Sequence, residues 1–196
     1  LGLSLAQTLA RDGWRLGVLD IETAALETAA SALRGMGAAA VMEFPGDVAE
    51  PEIVAAAIGR FVQETGGIDL LVNNAGVAVA GAMEATPVED WRWIVGINLL
   101  GVVWGCRAAL PVMKRQRSGL VFNVASSAGF AAAPQMAAYN VTKAALVMLA
   151  KTMALELARY GVRVNAITPG DIETAVIDHV ADQADADTGG RGHAGR

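Results

Sequence analysis

Asp69-Leu70-Leu71-Val72-Asn73-Asn74-Ala75-Gly76 is the stretch that decides the fold of this chain. A short apolar run is followed at once by two amides and two small residues. We predict that residues 69–72 form a buried strand of a parallel sheet, because strands covered on both faces read as continuous apolar runs. The residues after it would lie at the carboxyl end of the sheet, where open α/β sheets bind ligands. The amides offer donors and acceptors there, and the small residues let a ligand approach the backbone.

Four further apolar runs have the length of strands and alternate with helical patterns. The predicted strands cover residues 15–20, 41–44, 69–72, 120–124 and 162–167, and the predicted helices cover residues 2–12, 22–34, 51–64, 87–117 and 137–160. We expect the helix over 87–117 to break near Asn98 or Gly101, and a weak helix to follow Thr174. The alternation indicates βαβ units and therefore an α/β fold with a parallel sheet. Residues 1–183 are assigned to one domain, and the polar, glycine-rich residues 184–196 to a disordered tail.

Composition and charge exclude several classes of protein. Apolar residues make up 54% of the 196 positions and charged residues only 18%, which is enough apolar material for one substantial core. The net charge of −5 argues against a nucleic-acid or anionic-membrane partner. The most apolar long window, Ile94–Met113, contains Asn98, Arg107 and Pro111. A buried helix is therefore expected there rather than a membrane span.

Cysteine and histidine usage bears on location and on metal binding. The single cysteine, Cys106, excludes an internal disulfide and is compatible with a reducing compartment. No secretory signal is evident, so we expect a cytoplasmic protein. The neighbours of Cys106 are apolar, which favours a buried structural thiol over a nucleophile. His179 and His193 have no companions at metal-ligand spacing, so no metal site is predicted.

Tyr139 and Lys143 stand four residues apart within a predicted helix, and Ser126 lies thirteen residues before the tyrosine. Four residues are about one helical turn, so the phenol and the ammonium would share a face. A cation beside a phenol stabilises the phenolate and allows the phenol to move a proton near neutral pH. The serine hydroxyl could then hold a carbonyl or alcohol oxygen beside the phenol. The pattern Tyr-x-x-x-Lys is short, so its weight depends on its surroundings.

Polar or glycine-containing residues also follow the other predicted strands. Asp20 ends the first strand, Asp47-Val48 follows the second, and the segment Pro169-Gly170-Asp171-Ile172-Glu173-Thr174 follows the fifth. Ser126 lies just beyond the fourth. Because the carboxyl ends of parallel strands share one crevice, these residues suit a single extended ligand. An ordinary strand-end aspartate remains the alternative for Asp20.

Taken together, these residues resemble the short-chain dehydrogenase/reductase family in its compact, single-domain form. The matching residues run in the family's order over residues 1 to about 176, and they are Asp20, Asp47-Val48, Asn73-Asn74-Ala75-Gly76, Asn98, Ser126, Tyr139-x-x-x-Lys143 and Pro169-Gly170-x-x-x-Thr174. Each motif alone is weak, but the combination is specific. The resemblance implies a Rossmann-like, doubly wound parallel sheet and NAD(P)-dependent oxidation of an alcohol or reduction of a carbonyl, acting on a secondary alcohol or ketone.

The resemblance also implies four catalytic residues. Tyr139 would be the general acid/base. Lys143 would favour its phenolate form and hold the nicotinamide ribose. Ser126 would hydrogen-bond the reacting oxygen, and it has the family spacing to Tyr139 that the alternative hydroxyl, Ser127, lacks. Asn98 would help to hold a water that links Lys143 to solvent, although a buried amide satisfied by backbone is the alternative for it.

The implied cofactor is NAD, preferred over NADP because of Asp20. A carboxylate there would accept hydrogen bonds from both hydroxyls of the adenosine ribose and would repel a 2′-phosphate. Asp47 would accept from the adenine amino group, and the Val48 backbone would contact the ring. Asn74 would lie by the adenosine ribose or its neighbouring backbone. The remaining implied contacts are made by residues near the phosphates and the nicotinamide, which are Gly2, Gly76, Tyr139, Lys143, Ile172 and Thr174.

The chain departs from the family pattern at its beginning. The family starts with a strand and a glycine-rich turn of the kind Thr-Gly-x-x-x-Gly-x-Gly, and only Leu1-Gly2-Leu3 resembles the tail of that turn. The strand before it would be central to the sheet, so its loss implies two half-sheets with unpaired inner edges. It would also remove backbone N–H groups that hold the pyrophosphate. We therefore expect a piece of a dehydrogenase, truncated at both ends, that binds NAD poorly or folds poorly until that strand is restored.

Two other functions remain open. The first is a catalytically impaired fragment that acts only as an oligomerisation partner, since members of the resembled family commonly pair through the long helices, here residues 91–115 and 137–160. A homodimer or homotetramer is expected on that ground. The second is a sugar-nucleotide epimerase or dehydratase, which can carry the same Tyr-x-x-x-Lys but generally has a larger C-terminal substrate domain. Residues 77–83, residues 127–136 and the region after Thr174 would shape the pocket, and the apolar composition of the first two segments suggests a small apolar or mixed substrate.

Overall fold

A computed structural model describes residues 1–170, and their strands form two separate parallel sheets. The first half of the chain contains α1 (Gly2–Arg11), β1 (Arg15–Asp20), α2 (Thr23–Gly35), β2 (Ala40–Pro45) and α3 (Pro51–Thr65). β1 and β2 pair in parallel along their whole length, with Arg15 opposite Ala40 and Asp20 opposite Pro45. The carboxyl end of β1 therefore lies beside the loop that follows β2.

The second half of the chain forms a three-stranded sheet in the order β3-β4-β5. Its elements are β3 (Leu70–Asn73), α4 (Val88–Val95), a π-helix (Gly96–Leu100), α5 (Gly101–Gln116), β4 (Gly119–Val124), a 3₁₀ turn (Ser127–Gly129), α6 (Ala137–Leu157), a second 3₁₀ turn (Ala158–Tyr160) and β5 (Val162–Ile167). Both strand pairs are parallel, with Asn73 opposite Asn123 and Val124 opposite Ile167. The residues that follow these strands therefore lie at the same edge of the sheet.

Local sequence explains where several helices begin and end. Pro51 lies in the first turn of α3, where a missing N–H costs nothing. Gly66 ends that helix in the left-handed conformation (φ 85°), which glycine adopts without strain. Arg117 ends α5 in the same conformation (φ 59°), and Gly119 then starts β4 against the Met113 side chain.

An open space separates the two sheets. β1 and β3 each have a strand partner on one side only, and within residues 1–170 no strand pairs with their other edges. A cavity of about 450 Å³ lies between them, lined by every residue of β1 and β3 and by apolar side chains of α1 and α3 such as Leu5 and Phe61. The two half-sheets with unpaired inner edges that the sequence predicts are therefore observed.

The main hydrophobic core lies beneath the three-stranded sheet. It is formed by buried side chains from α5, α6, β4 and β5, among them Met113, Val121, Leu146, Leu157 and Val164. A smaller cluster of Ala10, Leu16 and Leu33 joins α1 and α2 to β1. The predicted α/β fold with parallel strands is confirmed.

Residues 88–116 form one continuous helical stretch, and by length and composition alone it could cross a membrane. The core helix of a soluble protein passes the same test. Here the stretch contacts α3 and α6, and Ile94, Ala109 and Met113 on it are completely buried. These contacts favour the predicted buried helix. The predicted break near Asn98 or Gly101 takes the form of the π-helix rather than a gap.

The remaining element boundaries agree closely with the predictions. The strands over 15–20 and 162–167 have the predicted limits. β4 begins one residue earlier than predicted, and β2 and β3 each differ by one residue at both ends. The predicted helix 137–160 corresponds to α6 and the 3₁₀ turn after it. The weak helix expected after Thr174 and the tail over 184–196 lie outside the described residues.

Candidate active site

Tyr139 and Lys143 lie in the first two turns of α6 and are brought together as the sequence predicts. The Lys143 ammonium nitrogen is 5.6 Å from the centroid of the Tyr139 ring. Lys143 is only 4% exposed, and its Nζ donates a hydrogen bond to the backbone carbonyl of Val124 at 2.8 Å. That bond fixes the lysine between α6 and the end of β4.

Burial changes the acidity of this lysine. Desolvation lowers the pKa of Lys143 from 10.5 to about 8. Its hydrogen-bond partner is a neutral carbonyl, and within residues 1–170 no carboxylate forms an ion pair with it. The amine is therefore close to balance between its charged and neutral forms at mildly alkaline pH.

Ser126 follows β4 and caps the 3₁₀ turn at Ser127–Gly129. Its Oγ accepts a hydrogen bond from the Ala128 N–H at 3.2 Å, so its own proton can be donated elsewhere. The turn sits directly on α6, because a Cβ on Gly129 would lie 2.9 Å from the Lys143 carbonyl oxygen. Ser126 is thereby held near the part of α6 that carries Lys143. The alternative hydroxyl, on the exposed Ser127, lies one residue further along.

Asn98 lies at the centre of the π-helix and is completely buried. Its Oδ1 accepts from the Val77 N–H at 2.8 Å, and its Nδ2 donates to the Val77 carbonyl at 2.9 Å and to Thr142 Oγ1 at 3.2 Å. The amide therefore clamps the backbone that follows Gly76. Both amide hydrogens are used in these contacts, as in the alternative of a buried amide satisfied by backbone.

Gly76 joins this group at the end of the loop after β3. A Cβ on Gly76 would lie 3.3 Å from Lys143 Nζ and 3.4 Å from Asn98 Oδ1. A larger residue would therefore push against both side chains. The structure thus gathers Gly76, Asn98, Tyr139 and Lys143 at the carboxyl ends of β3 and β4.

The residues predicted to hold the adenosine end lie around the space between the half-sheets. Gly2, Asp20, Val48 and Asn74 line that cavity, whereas Asp47 and Gly76 do not. A Cβ on Gly2 would lie 2.7 Å from Asn74 Nδ2, so the start of α1 sits directly on the loop after β3. The predicted contacts at Ile172 and Thr174 lie outside the described residues.

The two aspartates have different surroundings. Asp20 is exposed, and its Oδ1 accepts only a local hydrogen bond from the Glu22 N–H at 3.0 Å. Asp47 is half-buried, and its Oδ1 accepts from the Ala49 N–H at 2.8 Å. Each carboxylate has further lone pairs with which to accept hydrogen bonds from a ribose or an adenine amino group. The acceptors at this edge therefore fit the adenosine end of a nicotinamide dinucleotide.

Two loops are joined to each other just before the start of α6. The Gly81 N–H donates to the Gln135 carbonyl at 2.7 Å, and Gly81 pairs with Met136 in an isolated parallel bridge. The predicted pocket segments 77–83 and 127–136 are thereby joined. Met83 and Phe130 are large apolar side chains on these loops that remain exposed.

Two polar side chains that support the site, Asn123 and Thr142, were not among the predicted residues. Asn73 Nδ2 donates to Asn123 Oδ1 at 2.9 Å and lies 3.6 Å from Cys106 Sγ, which ties the end of β3 to β4. Burial raises the pKa of the Cys106 thiol to about 11, as expected for a structural cysteine. Thr142 is the other such residue. Its position, directly before Lys143 on a buried helix face, was the available signal.

Comparisons with known proteins agree with this arrangement. The family model described as short chain dehydrogenase matches residues 1–185. The chain is 38% identical to 2-(R)-hydroxypropyl-CoM dehydrogenase of Xanthobacter autotrophicus, covering 93% of this chain and 74% of that protein. Within the described residues no group of three or more acidic, cysteine or histidine side chains could hold a metal ion.

Solved structures give the same result. NAD⁺-bound xylitol dehydrogenase superposes with a TM-score of 0.86 at 35% identity, over 90% of this chain and 68% of that one. A gluconate 5-dehydrogenase from Burkholderia cenocepacia, in complex with NADP and tartrate, has a TM-score of 0.86 at 36% identity, over 94% of this chain and 72% of that one. The similarity thus covers most of this chain and about seven tenths of each solved structure.

Proposed function

The chain belongs to the short-chain dehydrogenase family, and from that premise we propose that it transfers a hydride between a nicotinamide cofactor and a secondary alcohol or the corresponding ketone, with Tyr139 as general acid/base. Proteins of this family are oxidoreductases that use nicotinamide cofactors. The observation that carries the proposal is the buried Lys143 ammonium beside the Tyr139 ring and Gly76. A phenol, a cation and a glycine backbone that meet at a sheet edge suit proton transfer beside a bound nucleotide.

Each side chain has a distinct task in this proposal. In alcohol oxidation the Tyr139 phenolate accepts the hydroxyl proton, and in ketone reduction the phenol returns it. The Lys143 ammonium stabilises the phenolate and holds the nicotinamide ribose. Ser126 donates its hydroxyl proton to the substrate oxygen as negative charge develops there. When bound, the nicotinamide supplies the hydride acceptor or donor.

For Asn98 the hydrogen bonds support positioning rather than proton transfer. Its amide is committed to Val77 and Thr142. Neither hydrogen of that amide is therefore free for the water that the resemblance implies beside Lys143. An Asn98→Ala variant that kept the wild-type pH profile and stability would contradict the positioning role.

NAD is the proposed cofactor. Support comes from the exposed Asp20 carboxylate at the carboxyl end of β1, which repels a 2′-phosphate. The solved structures described above include both an NAD-bound and an NADP-bound protein. The proposed preference for NAD over NADP therefore depends on the Asp20 carboxylate of this chain.

The second proposal concerns assembly, since exposed apolar side chains recur on α6. Val141, Met148 and Leu155 are spaced seven residues apart and are all exposed, and Trp93 and Leu100 are exposed on the neighbouring helical stretch. Such a stripe supports pairing of two copies through these helices as a homodimer or homotetramer. Sedimentation of wild type and Met148→Glu tests this. Identical monomer masses for both proteins would exclude it.

A cytoplasmic location is also proposed. It is supported by the one buried cysteine, which is kept as a free thiol. Fractionation of cells that express the chain is the direct measurement, and recovery in the membrane or the external medium would contradict it.

The catalytic proposal is tested by NADH absorbance with xylitol, gluconate, 2-propanol and cyclohexanol as probe alcohols. Tyr139→Phe should lower turnover by about 10²- to 10⁴-fold, because it removes the proton-transfer group and little else. NAD affinity, measured by calorimetry, should stay within about twofold, since the ring is kept. The matched control is Tyr160→Phe, in the 3₁₀ turn that follows α6, which should keep wild-type activity. Equal activity of the two variants would refute the assignment, and NAD binding without turnover in wild type would favour the alternative of an impaired oligomerisation partner.

A further inference from the structure

Thr142 lies between the two residues of the catalytic pair and is completely buried. Its Oγ1 donates a hydrogen bond to the Tyr139 carbonyl at 2.8 Å and accepts one from Asn98 Nδ2 at 3.2 Å. The hydroxyl is thus hydrogen-bonded both as a donor, to Tyr139, and as an acceptor, from Asn98. These two partners are 41 residues apart in sequence. A valine would fill the same volume without either bond.

The hydroxyl completes a chain of contacts across three segments. Asn98, which donates to Thr142, also holds Val77 through both its N–H and its carbonyl. Val77 directly follows Gly76, the glycine that lies against Lys143. The loop after β3, the π-helix and the first turn of α6 are therefore linked through one amide and one hydroxyl.

We propose that Thr142 is a positioning residue, which holds the backbone turn carrying Tyr139 and Lys143 in register with the Gly76–Val77 segment. The inference rests on the proposed function, because that segment is the one expected to face the nicotinamide ribose. It assigns to Thr142 no contact with substrate or cofactor.

Two features distinguish this role from ordinary core packing. A threonine hydroxyl that bonds the carbonyl three residues earlier alters the local helix geometry, and here that carbonyl belongs to Tyr139 itself. The same oxygen is the acceptor for an amide hydrogen that is buried and would otherwise be unpaired. Displacement of catalytic groups by about 1 Å can cost about 10²-fold in rate, so a fixed turn matters for turnover.

The test compares Thr142→Val, which keeps the shape and removes the hydroxyl, with Thr142→Ser, which keeps the hydroxyl and removes the methyl. Thr152→Val is the matched control, because Thr152 is exposed on the same helix. Turnover and KM are measured with the probe alcohol that wild type oxidises fastest. We expect Thr142→Val to lower kcat by about tenfold or more with KM within about twofold, whereas Thr142→Ser and Thr152→Val stay within about threefold of wild type.

A second readout needs no activity and no cofactor. The chain has only three lysines, Lys114, Lys143 and Lys151. Labelling them with ¹³C at the ε-carbon gives few signals, and a Lys143→Met sample identifies the one from Lys143. Its titration midpoint should rise by about half a pH unit or more in Thr142→Val, as the released turn exposes the amine to solvent. The midpoint should be unchanged in Thr142→Ser.

The outcomes separate this inference from the proposed function. An unchanged Lys143 midpoint in Thr142→Val, or equal losses in the valine and serine variants, overturns the positioning role. If wild type oxidises none of the probe alcohols, the proposed function fails on its own, and the lysine titration still decides whether Thr142 positions the turn. A midpoint shift confined to the valine variant supports it.

Discussion

The half of the molecule built on β3, β4 and β5 is buried far more deeply than the half built on β1 and β2. Among residues 1–170 the main core contains fourteen buried residues, whereas the cluster beneath β1 contains three. The catalytic candidates all belong to the first of these halves, and Asp20 belongs to the second. The proposed chemistry is therefore placed on the rigid part of the molecule, and the proposed choice of cofactor on the part with few tertiary contacts.

The difference in burial between the two halves is tested most directly by truncating one fully buried leucine in each half. Leu146→Ala, in the main core, should lower the free energy of unfolding by about 4–5 kcal/mol, because the surrounding helices and strands cannot collapse into the cavity. Leu33→Ala, in the small cluster, should cost about 2–3 kcal/mol, since α2 faces few neighbours and can relax. Urea unfolding gives both values.

Hydrogen exchange shows which strands are destabilised in each of the two leucine variants. Leu33→Ala should speed exchange in β1 and β2 while leaving β4 protected, and Leu146→Ala should speed exchange throughout. Equal losses of stability, with exchange raised uniformly in both variants, would mean that the two halves unfold as one unit.

The burial of Lys143, in the half built on β3, β4 and β5, should make the stability of the protein depend on pH. Lys143 has its pKa lowered to about 8 by burial, so below pH 8 the folded state carries the full cost of a buried ammonium. That cost disappears as the pH rises toward 10.5, where the unfolded lysine also loses its proton. The stability difference between wild type and Lys143→Met should therefore shift in favour of wild type by up to about 3 kcal/mol over that range.

The difference between the two proteins is the quantity to measure, because Cys106 works in the opposite direction. Its raised pKa means that thiol burial favours the folded state below pH 9 and that this benefit is lost toward pH 11. Both proteins carry that cysteine, so its contribution cancels in the comparison. A difference that stays constant between pH 7.5 and pH 10.5, in urea titrations, would show that the lysine is not buried as described.

The smallest effect is expected in the β1–β2 half. Asp20→Ala should leave turnover with saturating cofactor nearly unchanged. It should lower the ratio of NAD to NADP affinity by about tenfold, because the variant no longer repels the 2′-phosphate and no longer accepts hydrogen bonds from the ribose. Calorimetric titration with each nucleotide measures the ratio. Asp12→Ala, at the other end of β1, is the matched control, and an identical ratio in the two variants would show that Asp20 does not read the ribose.

Much of this arrangement could be predicted from the sequence, for identifiable reasons. The strands over 15–20 and 162–167 are apolar runs that follow Gly13-Trp14 and Gly161, and their predicted limits are the observed ones. The pairing of Tyr139 with Lys143 follows from helical spacing alone. The local sequence pattern was sufficient to predict a contact where the two side chains lay within one helical turn, and to predict a strand where an apolar run had clear limits.

The parts that could not be predicted depend on partners distant in sequence. The hydrogen bonds from Asn98 reach Val77 and Thr142, which are 21 and 44 residues away in sequence. The bond between Asn73 and Asn123 joins residues that are 50 positions apart. A break was predicted near Asn98 or Gly101, but its form as a π-helix was not. The buried positions Ile94, Asn98, Val102 and Cys106, within and on both sides of the π-helix, recur every fourth residue, which is longer than the 3.6-residue period of an α-helix.

That spacing has a consequence for how the segment tolerates changes in length. Three intervals of four residues contain about one residue more than three regular turns, and the wide turn takes up the surplus. Deleting one residue between 96 and 100 would restore an ordinary helix and leave Cys106, Ala109 and Met113 pointing where they do now. We expect such a shortened chain to keep its architecture but to lose the hydrogen bonds from the amide at position 98 to Val77 and Thr142.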